Sequence, residues 1–141
     1  MTILFARTDG ACSGNPGPAG WAYVITNASD EIVGENQGGN ICATNIQMEL
    51  EAVSQLLSDP RVYGSQLILY VDYIGIKHWL EGSWARNNER VKLQCLQIEE
   101  LIETNGIELT IFHVKGHSTD KWNNYVDDKA RIESQRLKNK Q

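Results

Sequence analysis

TDGACSGNPGPAGWAYV, residues 8–24, is the stretch that decides the fold. It places Asp9 directly after an apolar run, follows it with a turn rich in glycine and proline, and then begins a second apolar run. Two such runs joined by such a turn predict antiparallel strands, here at residues 2–9 and 20–27. An Asp-Gly pair alone indicates only a turn, so the meaning of Asp9 depends on acidic residues elsewhere in the chain.

Length and composition predict one globular domain over residues 1–141. A chain of 141 residues with 41% hydrophobic residues is long enough to bury a core. No stretch approaches the ~20 apolar residues of a membrane span, so no membrane partner is expected. Cys12, Cys42 and Cys95 are widely spaced and form no Cys-x-x-Cys pair, which indicates neither a disulfide framework nor a zinc site. We therefore expect an intracellular, cytoplasmic protein, with a nuclear or viral context left open.

The net charge of −5 argues at first against a nucleic-acid partner, because phosphate binding normally needs a basic surface. The basic residues are, however, concentrated at the C-terminus. Residues 129–141 hold five of them against Glu133, which leaves −9 on the rest of the chain. The five are Lys129, Arg131, Arg136, Lys138 and Lys140. Both a solvated helix end and a phosphate-contacting tail stay open for this segment.

Strands and helices alternate after the first hairpin. Residues 31–37 predict a third strand, and the capping-box sequence at residues 44–47 begins a helix of about 14 residues that ends before Asp59-Pro60. QLILYV, residues 66–71, is typical of a strand buried on both faces.

The rest of the chain continues this alternation. It predicts a weak short helix within 73–84, an amphipathic helix from 91 to 105, a strand at 107–114, a loop at 115–120 and a helix at 122–137. The order predicts an α/β fold with one five-stranded mixed sheet, three antiparallel strands followed by two parallel strands, flanked by helices.

Four acidic residues stand where these elements could bring them together. Asp9 and Asp72 each end a strand, and neighbouring strands would place their carboxylates side by side at one sheet edge. Glu49 could reach that point from the first helix and Asp127 from the last. Each residue alone is typical of a surface position or a helix cap. Together they predict a metal site, because clustered carboxylates raise one another's pKa and persist only with a compensating cation.

The chemistry of such a cluster follows from its oxygen ligands. Hard oxygen donors favour Mg²⁺, with Mn²⁺ as a substitute. Two such ions can activate an attacking water and stabilise the leaving oxygen in phosphodiester hydrolysis. The joint arrangement therefore predicts a metal-dependent nuclease.

At this point four segments resemble type 1 ribonuclease H, the family that cleaves the RNA strand of RNA–DNA hybrids. They are TDGACSGNPGP at 8–18, TNIQMEL at 44–50, LYVD at 69–72 and VKGHSTDKWNNYVD at 114–127. The resemblance covers nearly the whole chain. It implies a ribonuclease H-like fold, an RNA–DNA hybrid substrate, two Mg²⁺ ions with substrate bound, and an endonuclease that produces 5′-phosphomonoesters.

The same resemblance implies roles for individual residues. The metal-binding carboxylates it implies are Asp9, Glu49, Asp72 and Asp127. It matches His117 to a loop histidine that helps to protonate the leaving group or release product, work that suits an imidazole titrating near neutrality. The substrate-groove residues it implies are Cys12, Asn15, Thr44, Asn45 and Gln47, with Asn15 and Thr44 near a DNA phosphate. Asn123, one helical turn before Asp127, could orient a ligand or a water.

The chain departs from the family pattern after Asp72. Tyr73-Ile74-Gly75 stands where the family usually has serine and a polar residue, and the segment before the next helix is short. Ile46 replaces a common asparagine. The basic, tryptophan-rich handle of many bacterial relatives is reduced to Trp79, Trp84, Arg86, Arg90 and Lys92. Weaker hybrid affinity and a different cleavage preference are the hypotheses that follow.

Other functions stay open at this point. The same fold serves resolvases, transposases and exonucleases. A non-catalytic hybrid-binding module would account for the unusual segment after Asp72, although a pure binder would gain affinity by replacing repelling acids. Met1 and the tail to Gln141 favour a free-standing protein over a polyprotein domain. No obligatory protein partner is evident, and a monomer is expected.

Overall fold

The computed structural model describes residues 1–115 and 120–140. A five-stranded sheet lies at its centre, with its strands in the spatial order β3-β2-β1-β4-β5. The strands are β1 (Ile3–Cys12), β2 (Gly17–Thr26), β3 (Ile32–Ala43), β4 (Gln66–Val71) and β5 (Glu108–His113). The pairs β1–β2 and β2–β3 are antiparallel, whereas β1–β4 and β4–β5 are parallel. The predicted α/β class and mixed sheet are confirmed.

Helices cover both faces of the sheet. They are α1 (Asn45–Leu57), α2 (Ile74–Leu80), α3 (Glu89–Thr104) and α4 (Lys121–Lys138). Alternate residues of β2 face opposite sides, so Tyr23 and Ile25 join the core beneath α1 and α3, while Ala22 and Val24 pack with Val126 of α4. Within the described ranges, no helix has the length and apolar character needed to cross a membrane.

Two details of the predicted strands are wrong. β4 is not buried on both faces, because Leu67 and Leu69 are fully buried while Ile68 and Tyr70 are half-buried. The reason is that α4 packs over β1, β2 and β3, which leaves the second face of β4 partly open. β3 continues well beyond residue 37, since its pairing with β2 extends past a register shift until Ala43 lies opposite Gly17.

The start of α1 is fixed by the predicted capping box. Thr44 Oγ1 accepts a hydrogen bond from the Gln47 backbone N–H at 3.1 Å, and Gln47 Oε1 accepts one from the Thr44 N–H at 2.9 Å. These bonds satisfy two of the free N–H groups at the helix end. The cap therefore sets the rotation of the first turns of α1, and with it the direction in which Glu49 points.

A buried polar contact joins β2 to the segment that follows α1. Tyr23 Oη donates to Asp59 Oδ2 at 2.7 Å, and Arg61 donates to the same carboxylate from Nε at 2.9 Å and Nη2 at 2.7 Å. The Arg61 hydrogen bonds, joined by that of Tyr23, lower the pKa of Asp59 to about 2. Burial, followed by the hydrogen bond to Asp59, raises the pKa of Tyr23 to about 12.

The lowered pKa of Asp59 predicts an acid-sensitive contribution to stability. A carboxylate whose folded pKa lies below its unfolded value stabilises the fold above pH ~4, and this stability is lost as the pH falls towards 2. We expect Asp59→Asn to lower the free energy of unfolding by about 2 kcal/mol at pH 7 and to flatten its decline between pH 4 and 2. Urea denaturation across this pH range measures both effects. Glu81→Gln, which breaks the more exposed pair with Lys77, is the control and should change stability by less than ~0.5 kcal/mol. Parallel pH curves for Asp59→Asn and the wild type would contradict the assignment.

Candidate active site

Asp9, Glu49 and Asp72 form one cluster, called here the carboxylate cluster. Each offers one oxygen atom, and the three oxygens lie within 4.8 Å of one another. The parallel pairing of β1 and β4 places Arg7 opposite Tyr70, so Asp9 and Asp72, each two residues further on, reach the same edge of the sheet. Glu49 joins them from α1. The structure thus brings together three of the four predicted carboxylates.

The cluster is buried and electrostatically unfavourable. Asp9 is 2% exposed and Glu49 is 8% exposed. Burial and the charge of Asp72 raise the pKa of Asp9 to about 8. Burial and the charges of Asp9 and Asp72 raise the pKa of Glu49 well above its ordinary value, and burial with the charge of Asp127 raises the pKa of Asp72. The ionised cluster therefore favours a bound cation.

Asp127 stands beside the cluster. Its side chain is 43% exposed, and its Oδ2 forms an ion pair with Arg131 Nε at 3.3 Å. Its charge is nevertheless one cause of the raised pKa of both Asp9 and Asp72, which shows that it lies near them. Asn123 is 2% exposed, and its Oδ1 has no hydrogen-bond partner within the described ranges. His117, the predicted proton donor, lies outside the described residues.

A groove of about 480 Å³ lies between the N-terminal ends of α1 and α3. Its lining consists of Asn15, Thr44, Ile46, Gln47, Asn88, Arg90, Val91 and Gln94. Three of the predicted substrate-binding residues, Asn15, Thr44 and Gln47, are therefore together in one concave surface. Gln47 of the groove and Glu49 of the cluster lie two residues apart at the start of α1, so the groove and the carboxylate cluster are neighbours.

Cys12 and Asn45 do not line the groove, but their hydrogen bonds stabilise the segments that surround it. The Asn45 backbone N–H donates to Asn15 Oδ1 at 3.1 Å, which joins the β1–β2 turn to α1. The Cys12 thiol donates to the backbone carbonyls of Gly14 and Ala43, the latter at 2.9 Å. Cys12 thus faces the turn and the end of β3, so its side chain is positioned to support the groove rather than to reach into it.

Comparison with known proteins identifies the family. The ribonuclease H family profile matches residues 2–135. The chain belongs to the ribonuclease H family of enzymes. A ribonuclease H from Syntrophomonas wolfei is 39% identical over 144 aligned residues, which cover 93% of this chain and 95% of that protein.

Solved ribonuclease H structures share the fold. Ribonuclease H1 from the halophilic archaeon Halobacterium salinarum superposes with a TM-score of 0.83 at 27% identity, covering 95% of this chain and 98% of that one. LC11-RNase H1, solved in complex with an RNA/DNA hybrid, superposes with a TM-score of 0.80 at 22% identity, covering 92% and 97% of the two chains. The predicted ribonuclease H-like fold is confirmed.

The carboxylate cluster of this ribonuclease H family member fits a divalent cation. Its donors are all carboxylate oxygens, the type that Mg²⁺ prefers. Glu49 Oε2 is buried and has no hydrogen-bond partner, and no lysine or arginine within the described ranges forms a salt bridge with any of the three acids. A buried charge without a partner is costly. The cluster therefore has the ligand atoms of a metal site, and its carboxylates lack, among the described residues, the neighbouring positive charge that a metal ion would supply.

Two of the groove residues that were not predicted as substrate contacts, Asn88 and Arg90, lie at the start of α3. Asn88 caps α3, its Oδ1 accepting from the backbone N–H groups of Arg90 at 2.9 Å and Val91 at 3.1 Å. Arg90 was interpreted as part of a reduced handle. It lies in the first turn of α3, where a cation opposes the helix dipole and an anion is favoured. A basic residue at a helix start was the sequence signal that could have placed Arg90 in an anion-binding groove.

The tryptophans near the site form an aromatic cluster with Tyr73. The ring centres of Trp79 lie 5.8 Å from Tyr73 and 6.0 Å from Trp84, and His78 stacks on Trp84 at 4.7 Å. Arg86 donates to the Trp79 carbonyl at 2.9 Å and pairs with Glu99. The segment after Asp72 therefore forms the regular helix α2 and packs through its aromatic side chains.

Proposed function

We propose that this protein is a metal-dependent endonuclease that hydrolyses the RNA strand of RNA–DNA hybrids. The observation that carries the proposal is the buried carboxylate cluster beside a groove lined by two helix N-termini. The first feature suits divalent metal ions, and the second suits a phosphate backbone. Membership of the ribonuclease H family supports the same reaction class.

Asp9, Glu49, Asp72 and Asp127 are the residues that would hold two Mg²⁺ or Mn²⁺ ions. Bound ions of this kind supply positive charge that activates water and stabilises the leaving oxygen. The protein presents the ligands in fixed directions, since the Gly10 N–H donates to Asp9 Oδ1 at 2.9 Å and the α1 cap orients Glu49. Asn123 lies one turn before Asp127, and its carboxamide oxygen, which has no hydrogen-bond partner among the described residues, can orient a water or ligand.

We assign the proton donor role to His117. In the proposed reaction, water attacks the phosphorus atom and the bond from phosphorus to the 3′-oxygen breaks. The departing 3′-oxygen takes a proton, and the phosphate stays on the 5′-oxygen of the released strand, which gives a 5′-phosphomonoester. An imidazole can supply that proton because it titrates near neutrality.

The groove supplies substrate recognition in this proposal. Thr44 and Asn88 each cap a helix that begins at the groove, so backbone N–H groups and two positive helix ends face the same space. Arg90 adds a full positive charge there. These features suit a phosphate of the DNA strand, while contacts to 2′-hydroxyl groups would distinguish the RNA strand.

This role for Arg90 can be tested by kinetics. Arg90→Gln is expected to raise the KM for hybrid by about 3- to 10-fold and to reduce the slope of log affinity against log salt by about one, because one phosphate contact is lost. The matched control is Lys92→Gln, which removes an equal charge from the same helix outside the groove lining. Equal changes in both variants would indicate a general charge effect and contradict a phosphate contact at Arg90.

The proposed function is tested by cleavage of a strand-labelled RNA–DNA hybrid. Duplex RNA, duplex DNA and single strands run alongside, each in Mg²⁺, Mn²⁺ and EDTA. We expect metal-dependent cuts confined to the RNA strand of the hybrid, leaving 5′-phosphate ends. Preferred cleavage of DNA junctions or single strands would assign the protein to the resolvase, transposase or exonuclease class. Hybrid binding without cleavage in either metal would indicate a binding module.

A further inference from the structure

One arginine touches three of the elements that form the site. Arg7 lies on β1, and its Nε and Nη2 donate to Asp120 Oδ2 at 3.2 and 3.0 Å. Its guanidinium carbon lies 4.3 Å from the centre of the Tyr70 ring on β4. The side chains of Arg7 and Asp120 are only 14% and 20% exposed. Arg7 therefore joins β1, β4 and the start of α4 through one partly buried group.

Each of these elements carries one of the acidic residues. Asp9 lies two residues beyond Arg7 on the same face of β1, and Asp72 lies two residues beyond Tyr70. Asp127 lies on α4, about two turns after the helix begins. The Arg7 contacts therefore join the three elements that carry these carboxylates.

Asp120 connects the Arg7 side chain to the backbone of α4. Its Oδ2 accepts from Arg7, while its Oδ1 accepts from the backbone N–H groups of Trp122 at 2.9 Å and Asn123 at 3.1 Å. This carboxylate is the N-cap of α4. A displacement of Asp120 would shift the first turn of the helix, and the rest of the helix would move with it.

Other contacts hold the same helix against a different part of the sheet. Asp30 accepts from Trp122 Nε1 at 2.5 Å, and Tyr125 Oη donates to Glu35 at 2.6 Å. Asp30 belongs to the β2–β3 turn and Glu35 to β3. These contacts locate α4 relative to β2 and β3, whereas Arg7 locates it relative to β1 and β4.

We propose that Arg7 is a positioning residue that sets Asp127 relative to Asp9 and Asp72 for catalysis, an inference that rests on the proposed function. The guanidinium is suited to this work because its planar fork donates two hydrogen bonds while its face stacks on an aromatic ring. Lysine can supply the charge but not this geometry. A displacement of about 1 Å at reacting groups can cost about 100-fold in rate.

The test compares Arg7→Met and Arg7→Lys with the control Lys121→Met, which removes the exposed ion pair at the same helix end. Steady-state cleavage of hybrid in Mg²⁺ gives kcat and KM, and calorimetry gives Mg²⁺ binding to the protein without substrate. We expect Arg7→Met to lower kcat by about 10- to 100-fold with KM changed less than about twofold, and to weaken Mg²⁺ binding. Arg7→Lys should share the loss in part, and Lys121→Met should behave as the wild type.

The two Arg7 variants separate geometry from charge. If Arg7 acted only through its charge, Arg7→Met would bind Mg²⁺ more tightly and Arg7→Lys would match the wild type, which would overturn the proposal. An unchanged kcat and unchanged Mg²⁺ binding in Arg7→Met would also overturn it. If Arg7→Met does not fold, Asp120→Asn replaces it, because asparagine keeps the helix cap but weakens the contact with Arg7. A wild-type protein that fails to cleave hybrid would contradict the proposed function, and Mg²⁺ calorimetry would still decide the role of Arg7.

Discussion

Asp9→Asn is expected to abolish hybrid cleavage and, in the absence of metal, to make the protein more stable. Asp9 is 2% exposed, its oxygen lies within 4.8 Å of those of Glu49 and Asp72, and its pKa responds to both Asp72 and Asp127. Asparagine keeps the size of the side chain but loses the charge that holds a cation. We expect a loss of about 10³-fold or more in kcat, equivalent to about 4 kcal/mol of transition-state stabilisation.

The gain in stability follows from the sign of the pKa shift. Burial and the charge of Asp72 raise the pKa of Asp9 to about 8, so the folded protein holds this proton more tightly than the unfolded chain does. The contribution of Asp9 to the stability of the metal-free wild type is therefore complete below pH ~4 and is lost as the pH rises towards about 8, at up to about 1.4 kcal/mol per pH unit for each such group. Asp9→Asn removes this loss, so its advantage over the wild type should grow between pH 4 and 8.

Thermal unfolding in EDTA at several pH values, repeated in Mg²⁺, measures the stability of Asp9→Asn relative to the wild type. Mg²⁺ should raise the melting temperature of the wild type and have little effect on Asp9→Asn, because ligand binding to the folded state stabilises it. Asp128→Asn is the matched control, since Asp128 neighbours Asp127 but pairs with Arg131 at the surface. An Asp9→Asn protein that is less stable than the wild type in EDTA at pH 8 would show that the cluster is not repulsive.

The sequence predicts the fold well because each element carries its own pattern. Apolar runs located four of the five strands, β1, β2, β4 and β5, and the Thr44 capping box located the start of α1 to the residue. The errors lie where a pattern depends on a distant partner. The half-open face of β4 follows from where α4 packs, and the polar end of β3 is held by its pairing with Gly17.

The features of the site likewise divide into those that the sequence predicts and those that depend on distant contacts. The proximity of Asp9 and Asp72 could be predicted from the sequence, because the carboxyl ends of neighbouring parallel strands meet at one edge of the sheet. The contribution of α3 to the groove could not be predicted from the sequence, since it depends on how the segment after α2 brings Asn88 beside Thr44. The Arg7–Asp120 pair joins residues 113 positions apart, and no local pattern marks such a contact.

Gly10→Ala is expected to impair both folding and catalysis, because α1 lies directly against this residue. A Cβ atom at position 10 would lie 2.5 Å from the carbonyl carbon of Met48 and 2.6 Å from the backbone nitrogen of Glu49. Both are backbone atoms of α1, so a side-chain rotation cannot relieve the clash. The helix must move away from β1, and Glu49 must move with it. We expect a loss of about 1–3 kcal/mol in the free energy of unfolding and about 100-fold in kcat.

The comparison that separates the two effects is Leu57→Ala, at the far end of the same helix. Leu57 is fully buried, and its truncation should cost about 2–5 kcal/mol without moving Glu49. Activity is measured below the melting temperature of both variants, with stability taken from urea denaturation. If destabilisation alone lowered the rate, Leu57→Ala would be at least as impaired as Gly10→Ala. A large loss of kcat confined to Gly10→Ala would mean that the close approach of α1 to β1, which only glycine permits here, sets the distance between Glu49 and Asp9 on which metal binding depends.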